Sequence, residues 1–545
     1  MGRRLSSAAA AVVAAGFLGT GFVATVASPA SAGGSAAAGD QPRWVKHVQT
    51  YPGGISDSVR VQASAEVAQM QAAQPSASSS AAYASDGNLQ MNSRDSDPPV
   101  PQNETAVATS LDDPDVAVSA SNDYVNGGVA VMRTLNGGRS WSTNYVVPRF
   151  GGTGDYCTGG DPSVAYSARD HVFFLSQLCF FRALPFSEVQ VFVSTDNGFS
   201  WTPGARSARA ATNFDYATGE VNDAVFNDKE FIAVDNSPTS PHFGRLYVTY
   251  TKFHMLPSGF SDYCPIQLSY TDSVDLTVPS RTTFVHDSVQ PDDPGGKGTG
   301  RSANQFSYPV VQPDGTLDIG FVQEQCNTSY DPHLLFQRST TGGQTFLPRA
   351  VRIDKPGQYQ DNKHRDDSLP PTSFRAPNTI SMTYNRGVLT YVYQNNIDSA
   401  GSQANISYQQ STDGGRHWSD MRWLSTTAVG APAPNDQFFP SIASIGNGQL
   451  YAIWYDRRLD PANHDIDTFE ARSADNGVTW TNHRISTQSW NPDKAFFSSG
   501  AFIGDYIQVA VSDTYVYPTW ADARNSAYNR TGIGETDIFT DVEPR

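Results

Sequence analysis

The chain is poor in the residue types that mark several common classes of protein. Lys and Arg number 37 against 54 Asp and Glu, and the formal net charge of −17 argues against nucleic acid or an anionic membrane as a general partner. After the N-terminal segment, no run approaches the roughly 18 uninterrupted apolar residues of a membrane span. No long stretch repeats apolar residues at the helical period, which argues against a helical domain.

Cysteine is also scarce, with four residues in the whole chain. In an exported protein, four cysteines suggest two disulfides. Among the possible pairings we favour Cys157–Cys179, which flank one expected strand pair, and Cys264–Cys326, which lie in successive repeat units. A cysteine-ligated metal site is disfavoured, because the sequence has no C-x-x-C motif and no clustered His. We expect no cofactor, leave a Ca²⁺ ion open, and expect a monomer.

Residues 1–32 have the pattern of a secretory signal peptide. Arg3 and Arg4 precede an apolar stretch interrupted by Gly and Thr, and the small residues 30–32 (Ala-Ser-Ala) form a cleavage site. The segment carries two Arg and no acidic residue, so the net charge of the remaining chain is −19. We therefore expect a secreted, extracellular protein that begins at Gly33.

Residues 33–102 differ in composition from the rest of the chain. Residues 63–85 are rich in Ala, Ser and Gln, which is typical of a linker or a poorly ordered segment. Residues 44–51 (Trp-Val-Lys-His-Val-Gln-Thr-Tyr) are expected to form a strand. The remainder, residues 103–545, has a regular organisation and is expected to form one domain.

A short motif, Ser/Thr-x-Asp-x-Gly-x-Ser/Thr-Trp, recurs through residues 103–545; we call each copy a box. Full copies span residues 194–201 and 473–480. The copy at residues 411–418 has His417 at the seventh position, residues 134–141 carry Asn136 in place of Asp, and residues 339–346 form a worn copy. We expect the Asp to accept backbone N–H groups inside a tight turn, the Gly to take a positive φ, and the aromatic residue to pack between strands.

The spacing of the boxes predicts the number of repeat units. Their third positions fall at 136, 196, 341, 413 and 475, and the interval between 196 and 341 is about twice the others. Residues 268–274 form a decayed copy halfway along that interval, and a further interval beyond 475 ends near Asp541. Seven units of aromatic and β-branched strands predict an all-β fold, a β-propeller of four-stranded antiparallel blades, with six blades as the alternative. We expect an N-terminal strand, residues 44–51, to close the ring.

Blade topology separates the boxes from the candidate site. In an up-and-down blade the start of the first strand and the end of the second lie on one face, and the turn carrying the box lies on the other. We therefore expect the boxes to be structural and the opposite face to be functional. The candidates at strand starts are Glu104, Asp161, Glu230, Arg375, Asp436 and Asp505, and those at second-strand ends are Asp456, Arg458, Asp522 and Arg524.

These residue types suggest two kinds of chemistry. Three guanidinium groups on one face can bind a carboxylate through bidentate hydrogen bonds. Two carboxyl groups near the central cavity can act as general acid and base in glycoside cleavage. Both assignments have structural alternatives: the Asp-x-Arg pairs can be internal salt bridges, and Tyr506, a candidate nucleophile beside Asp505, can be a core residue of an inner strand. The candidate catalytic residues are Arg375, Arg458, Arg524, Tyr506, Asp505, Asp161 and Asp436, and the candidate substrate-binding residues are Glu104, Glu230, Asp456 and Asp522.

The boxes, together with Phe374-Arg375-Ala376-Pro377, resemble the sialidase (neuraminidase) superfamily of Asp-box, or BNR-repeat, propellers. The resemblance covers residues 103–545. It implies an arginine triad that binds the carboxylate of the sugar, an Asp that acts as acid and base, and a Tyr–Glu pair that supplies the nucleophile. On this basis Arg375, Arg458 and Arg524 are the expected triad, and Tyr506 is the expected nucleophile.

The expected function is that of a secreted glycan-active enzyme, a sialidase-like glycoside hydrolase that acts on an acidic sugar. Two alternatives remain open. The same arginines could serve a polysaccharide lyase by neutralising a uronate, with Tyr506 as the base, or the propeller could bind a glycan or a protein without catalysis.

Overall fold

The computed structural model of the chain describes residues 42–50, 87–92, 101–124, 127–181, 184–259, 261–289, 303–324, 333–355, 359, 368–372, 374–396, 403–497, 500–526 and 534–545. All of them belong to one compact unit, residues 39–545. The expected signal peptide and the Ala/Ser-rich segment 63–85 lie outside the described residues. Within them, no helix combines the length and the apolar character needed to cross a bilayer.

Seven antiparallel sheets follow one another along the chain, each with four main strands in order from the inside outwards. Blade 1 comprises β2 (Gln102–Thr109), β3 (Ala117–Asp123), β4 (Gly128–Thr134) and β5 (Ser142–Val146). Blade 2 comprises β6 (Ser163–Ser167), β7 (Val172–Phe180), β8 (Ser187–Ser194) and β9 (Ala208–Thr212). Blade 3 comprises β10 (Val225–Val234), β11 (Leu246–Met255), β13 (Ile266–Thr271) and β14 (Val285–Ser288), and the short β12 (Ser261–Tyr263) pairs with β11.

Blade 4 comprises β15 (Ala303–Val311), β16 (Leu317–Glu324), β17 (His333–Ser339) and β18 (Val351–Arg352). Blade 5 comprises β19 (Ile380–Asn385), β20 (Val388–Asn396), β21 (Ala404–Ser411) and β22 (Arg422–Trp423). Blade 6 comprises β23 (Gln437–Ala443), β24 (Leu450–Asp456), β25 (Asp467–Ser473) and β26 (Thr481–Arg484). Blade 7 comprises β29 (Gln508–Val511), β30 (Tyr515–Asp522), β31 (Asp537–Thr540) and the N-terminal β1 (Leu89–Gln90), while β32 (Glu543–Pro544) pairs with β30. A separate ribbon pairs β27 (Phe496–Phe497) with β28 (Gly500–Ala501), and single 3₁₀ turns lie at Gly204–Arg206, Pro279–Arg281 and Pro492–Lys494.

The fold is therefore the predicted seven-bladed β-propeller, closed by an N-terminal strand. The closing strand is β1, which pairs antiparallel with β31 through Leu89↔Thr540 and Gln90↔Phe539. Neighbouring blades pack through buried apolar side chains between their sheets.

The prediction that residues 44–51 supply the closing strand is wrong. The segment Arg43–Thr50 forms the α-helix α1. Its apolar residues Trp44, Val45 and Val48 recur at helical spacing, and Pro42 just before it suits a helix start. The ring of Trp44 is buried against Phe180 and Phe226, with centroids 5.3 Å from each, so the helix packs on blades 2 and 3 instead of entering the sheet of blade 7.

Each box lies between the third and fourth strands of its blade. In blade 6 the carboxylate of Asp475 accepts hydrogen bonds from Thr479 N at 2.9 Å and from Ser473 Oγ at 2.8 Å. Ser473 Oγ in turn accepts from Gly477 N at 2.8 Å, and Gly477 has a φ of +85°. Trp480 of this box packs on Tyr408 of blade 5, with centroids 5.8 Å apart. The box thus closes its own turn and fills the junction with the preceding blade.

The described cysteines include one disulfide, which is the predicted Cys157–Cys179 bond with a Cα–Cα distance of 5.3 Å. It lies under a cluster of rings around Phe150 at the end of β7. Cys264 is buried, and Cys326 lies outside the described residues, so the Cys264–Cys326 bond stays a prediction.

Candidate functional site

A β-bulge interrupts the inner strand of several blades at the face opposite the boxes. In blade 1 the pairs Asn103↔Asn122 and Ala106↔Ala120 leave Glu104 and Thr105 opposite a single residue. Blades 3, 4 and 6 have the same register shift. The first bulged residues have positive φ and are Glu104 (58°), Lys229 (50°), Phe306 (54°) and Phe439 (54°), and Asp161 at the start of the inner strand of blade 2 has a φ of 56°. Such a conformation is uncommon outside Gly and redirects the side chain, so the bulges select which residues face the axis.

Charged residues near the starts of the inner strands, together with Tyr506, form a buried group that we call the axial cluster. Its residues are Glu104, Asp161, Lys229, Glu230, Arg375, Asp505 and Tyr506, and each is at most 8% exposed. Five of the sequence-predicted site residues at strand starts, from blades 1, 2, 3, 5 and 7, are therefore in one place, together with Tyr506.

Glu104 connects three blades. Its Oε2 accepts from Asn122 Nδ2 at 2.9 Å, and its Oε1 accepts from Asp505 N at 3.2 Å. Asn122 Oδ1 accepts from Asp161 N at 2.8 Å, and the carboxyl groups of Glu104 and Asp161 share a hydrogen bond. Two carboxyl groups in this arrangement can hold one proton between them.

Burial dominates the electrostatics of the axial cluster. It raises the pKa of Glu104 well above the usual value, the charges of Asp161 and Asp505 raise it further, and Lys229 opposes them. The pKa of Glu230 is raised for the same reasons, by burial first and by Asp161 second. Burial thus favours the protonated form of both carboxyl groups, which is the form that can donate a proton.

Tyr506 lies at the centre of these charges. Burial raises the pKa of its phenol, and the surrounding carboxylates of Glu104, Asp161, Glu230 and Asp505 raise it further. Its Oη donates to Pro162 O at 3.3 Å, and Lys229 Nζ lies 3.5 Å from the centroid of its ring. Lys229 and Tyr506 also line a small cavity bounded by the inner strands of blades 3 to 7, with room for about 30 Å³ of solvent.

The three predicted arginines lie in different places, and Arg375 is the one that approaches another residue of the axial cluster in the described part of the chain. Its Nε lies 3.9 Å from Asp505 Oδ1. Arg458 forms an ion pair with Asp456 at 2.6 Å and donates to Thr426 O at 2.9 Å, at the junction of blades 5 and 6.

Arg524 repeats the arrangement of Arg458 one blade further on. It forms an ion pair with Asp522 at 2.6 Å and donates to Thr487 Oγ1 at 3.1 Å, at the junction of blades 6 and 7. Both guanidinium groups also stack on an aromatic ring of the third strand of their own blade. These contacts hold Arg458 and Arg524 in two separate blade junctions.

Asp436 also lies apart from the axial cluster. Its Oδ1 accepts from Ala404 N at 2.8 Å, and its Oδ2 lies 3.5 Å from Arg457 Nη1. Arg457 is fully buried and donates to Leu369 O at 3.0 Å and to Thr372 Oγ1 at 2.6 Å. Burial lowers the pKa of Arg457 to about 10. The pair thus anchors the segment that leads to Arg375.

Sequence reasoning missed Lys229 and Arg457. Lys229 stands directly before the predicted Glu230, in a run of three consecutive charged residues in the inner strand of blade 3. The bulge in that strand turns its side chain to the axis. Arg457 stands directly before the predicted Arg458, and the two side chains leave the end of β24 in different directions. In both places the sequence did offer a signal, namely a charged residue directly beside a predicted site residue.

Two other groups of side chains have metal-ligating atoms close together in the described part of the chain: Asp460, His464 and Asp465, and Glu470, His483 and Glu543. Asp460 is engaged by backbone N–H groups, and Glu470 by Arg472 at 3.0 Å. Protein contacts already satisfy these carboxylates, so neither group carries an assignment.

No model of a known protein family matches the chain, and no curated protein matches its sequence. Several solved structures share the fold at low identity. The Hadza microbial sialidase Hz136 is 13% identical over 79% of this chain and 74% of its own, with a TM-score of 0.43. The GH93 α-L-arabinofuranosidase of Fusarium graminearum is 9% identical over 68% and 92%, with a TM-score of 0.42. A PL25 ulvan lyase is 8% identical over 84% and 97%, with a TM-score of 0.46. One of these neighbours is a sialidase, one an arabinofuranosidase and one a polysaccharide lyase.

Proposed function

We propose that the protein is a glycoside hydrolase whose reaction takes place at the axial cluster. The observation that carries the proposal is the hydrogen-bonded carboxyl pair Glu104–Asp161, buried beside Tyr506 and Glu230. Glycoside cleavage needs a carboxylic acid that protonates the leaving oxygen and a second group that attacks the anomeric carbon or activates water. Burial raises the pKa of Glu104 and of Glu230 and so favours the protonated form that a general acid needs.

The residues suggest the following roles. The Oη of Tyr506 bonds to the anomeric carbon while its proton passes to a neighbouring carboxylate. The glycosidic C–O bond breaks, and the leaving oxygen takes the proton held by Glu104 and Asp161. A water molecule then adds to the anomeric carbon, the bond to Tyr506 breaks, and the phenol and the carboxyl pair recover their protons.

A sialidase-like form of this proposal concerns the sugar that is bound. In that form Arg375, Arg458 and Arg524 hold the carboxylate of an acidic sugar. Arg375 lies at the axial cluster beside Asp505, and Arg458 and Arg524 would first have to release Asp456 and Asp522. The N-terminal pattern of residues 1–32 supports a further proposal, that the protein acts outside the cell.

A panel of chromogenic glycosides, neutral and sialic acid-based, tests the proposal with the full-length mature chain. Glu104→Gln and Tyr506→Phe should each lower kcat by about 10²- to 10⁴-fold, the usual range for loss of a proton-transfer group or nucleophile. The matched control is Asp475→Asn in a box, which should keep full activity. Absence of turnover on the whole panel, or unchanged kcat in both cluster variants, would contradict the proposal. An unsaturated product detected by ultraviolet absorbance would indicate a lyase.

A further inference from the structure

Lys229 is one of the two cations of the axial cluster, and the sequence repeat does not explain why a lysine occupies its position. Its backbone is in the left-handed region at a φ of 50°, on the bulge of β10, and the residue is only 4% exposed. Its Nζ lies over the ring of Tyr506 and borders the small axial cavity. The bulge gives the same conformation to Phe306 and Phe439 in other blades, so what distinguishes Lys229 is a buried charge at this position.

The ammonium group lacks an acceptor. Lys229 Nζ has no hydrogen-bond partner among the described residues, and neither do the two carboxyl oxygens of Glu230, the next residue along the bulge. A lysine has three N–H donors, and leaving them unpaired in a buried site is unfavourable even with the attraction of the Tyr506 ring. The cavity beside Nζ has room for one or two water molecules, which is also the size of a hydroxyl or hydroxymethyl group.

The charge of the axial cluster restricts which chemical group can supply an acceptor oxygen for Lys229. Among the described residues, the carboxyl groups of Glu104, Asp161, Glu230 and Asp505, with Asp228 beside Glu230, are opposed by two cations, Lys229 and Arg375, and Arg375 already lies beside Asp505. A sugar carboxylate placed here would meet like charges at low dielectric, which is strongly unfavourable. A neutral hydroxyl in the cavity can accept a hydrogen bond from Lys229 without that repulsion.

We propose that the axial cluster binds a neutral sugar and that Lys229 donates a hydrogen bond to one of its hydroxyl groups. The inference deepens the proposed hydrolase by naming its substrate class, and it rests on that proposal only for the place where the sugar reacts. Binding itself needs no turnover, so it can be measured separately.

The test compares neutral sugars with their acidic counterparts on the mature full-length chain at constant ionic strength. The matched pairs are glucose with glucuronate and galactose with galacturonate, and N-acetylneuraminate is added as the sugar of the sialidase-like alternative. Thermal unfolding and isothermal titration calorimetry give the affinity, since a ligand that binds only the folded state raises Tm with concentration. We expect at least one neutral sugar to bind saturably and its acidic partner to bind at least about tenfold more weakly, a difference of about 1.4 kcal/mol.

Variants locate the binding at Lys229. Lys229→Met should weaken binding of the neutral sugar by about tenfold or more, as expected for loss of a buried hydrogen bond to a charged donor. Lys229→Gln, which keeps an N–H donor, should lose less and replaces the Met variant if that one does not fold. Arg338→Met is the control, because Arg338 neutralises the buried Asp318 near the boxes of blade 4, away from the axis. It should lower Tm without changing sugar affinity.

The outcomes separate this inference from the proposed hydrolase. Preferred binding of an acidic sugar, no binding of any neutral sugar, or unchanged affinity in both Lys229 variants would overturn it. Saturable binding of a neutral sugar without turnover of any glycoside would leave it standing and would remove the hydrolase proposal. Turnover of sialosides alone would do the reverse.

Discussion

The boxes and the axial cluster place acidic side chains on opposite faces of the same blades in opposite environments. Asp475 of a box is exposed, accepts hydrogen bonds from its own turn, and has a pKa lowered to about 2 by those donors. Glu230 of the axial cluster is 0% exposed, has no hydrogen-bond partner for its carboxyl oxygens among the described residues, and has a pKa raised by burial.

The difference separates a structural carboxylate from a candidate functional one. The carboxylate of a box is hydrogen-bonded within the same eight residues, as Asp196 and Asp475 are, so it needs no partner from elsewhere in the chain. The axial cluster draws charged residues from several blades, two of them from blade 3, and leaves Lys229 Nζ and the carboxyl oxygens of Glu230 without a hydrogen-bond partner among the described residues. Unmatched buried polar groups are rare in folded proteins, because they lower stability, and their concentration at one point is typical of a binding or catalytic site.

The Asp456–Arg458 pair tests where the boundary between these two regions lies. If the pair is structural like the boxes, Asp456→Ala should lower the free energy of unfolding by about 3–5 kcal/mol, because it leaves a largely buried guanidinium without its carboxylate. Chemical denaturation measures the change. The double variant Asp456→Ala/Arg458→Met should be clearly more stable than Asp456→Ala alone. A loss below about 1 kcal/mol in the single variant would show that Arg458 is available for a ligand.

A second test asks how tightly a box fits the preceding blade. Gly415 has a φ of +78°, and a Cβ added there would overlap the ring of Phe336 in blade 4. Gly387 has a φ of +82°, and a Cβ there would meet nothing within 4 Å. Gly387→Ala should therefore cost about 1 kcal/mol for the backbone conformation alone, and Gly415→Ala about 2–4 kcal/mol for conformation and overlap together. If chemical denaturation shows equal losses of unfolding free energy for the two variants, the blade junction adapts to the added methyl group and the box does not fit the preceding blade tightly.

The repeat made the fold predictable from sequence. A box has a fixed place between the third and fourth strands, so its spacing counted seven blades and assigned the two faces. The closing strand escaped prediction because Leu89–Gln90 is too short to show any periodicity. The sequence of the helix Arg43–Thr50 also predicts a strand, because its aromatic and β-branched residues suit both structures.

The candidate site was predictable in outline only. Residues at strand starts such as Glu104, Asp161 and Asp505 follow from topology, since every inner strand begins at the same face. The direction of a side chain at a bulge does not, because one extra residue reverses the alternation along the strand, as at Lys229. The partner of an arginine is equally hidden from the sequence: Arg457 and Arg458 are adjacent, yet one clamps the loop before Arg375 and the other an Asp of its own blade.

The smallest expected effects test the comparison most directly, through two substitutions that each replace a carboxylate with its neutral amide. Asp475→Asn should lower stability at pH 7 by about 1 kcal/mol, a modest amount because the group is exposed and screened by solvent. Glu230→Gln should raise stability at pH 7, on the order of 1 kcal/mol or more, because an amide has no ionised form that burial disfavours.

The pH dependence of the two effects has opposite sign. The lowered pKa of Asp475 stabilises the fold above its unfolded value of 3.8, and this contribution is lost as the pH falls towards about 2, so the Asp475→Asn difference should vanish in acid. The raised pKa of Glu230 stabilises the fold only below its unfolded value of 4.5, and this is lost as the pH rises, so the Glu230→Gln difference should vanish near pH 4 and grow above it. Urea unfolding between pH 3 and pH 8 measures both. If Glu230→Gln destabilises the protein at pH 7, Glu230 is ionised and paired in the fold, and the distinction between the two faces fails at that residue.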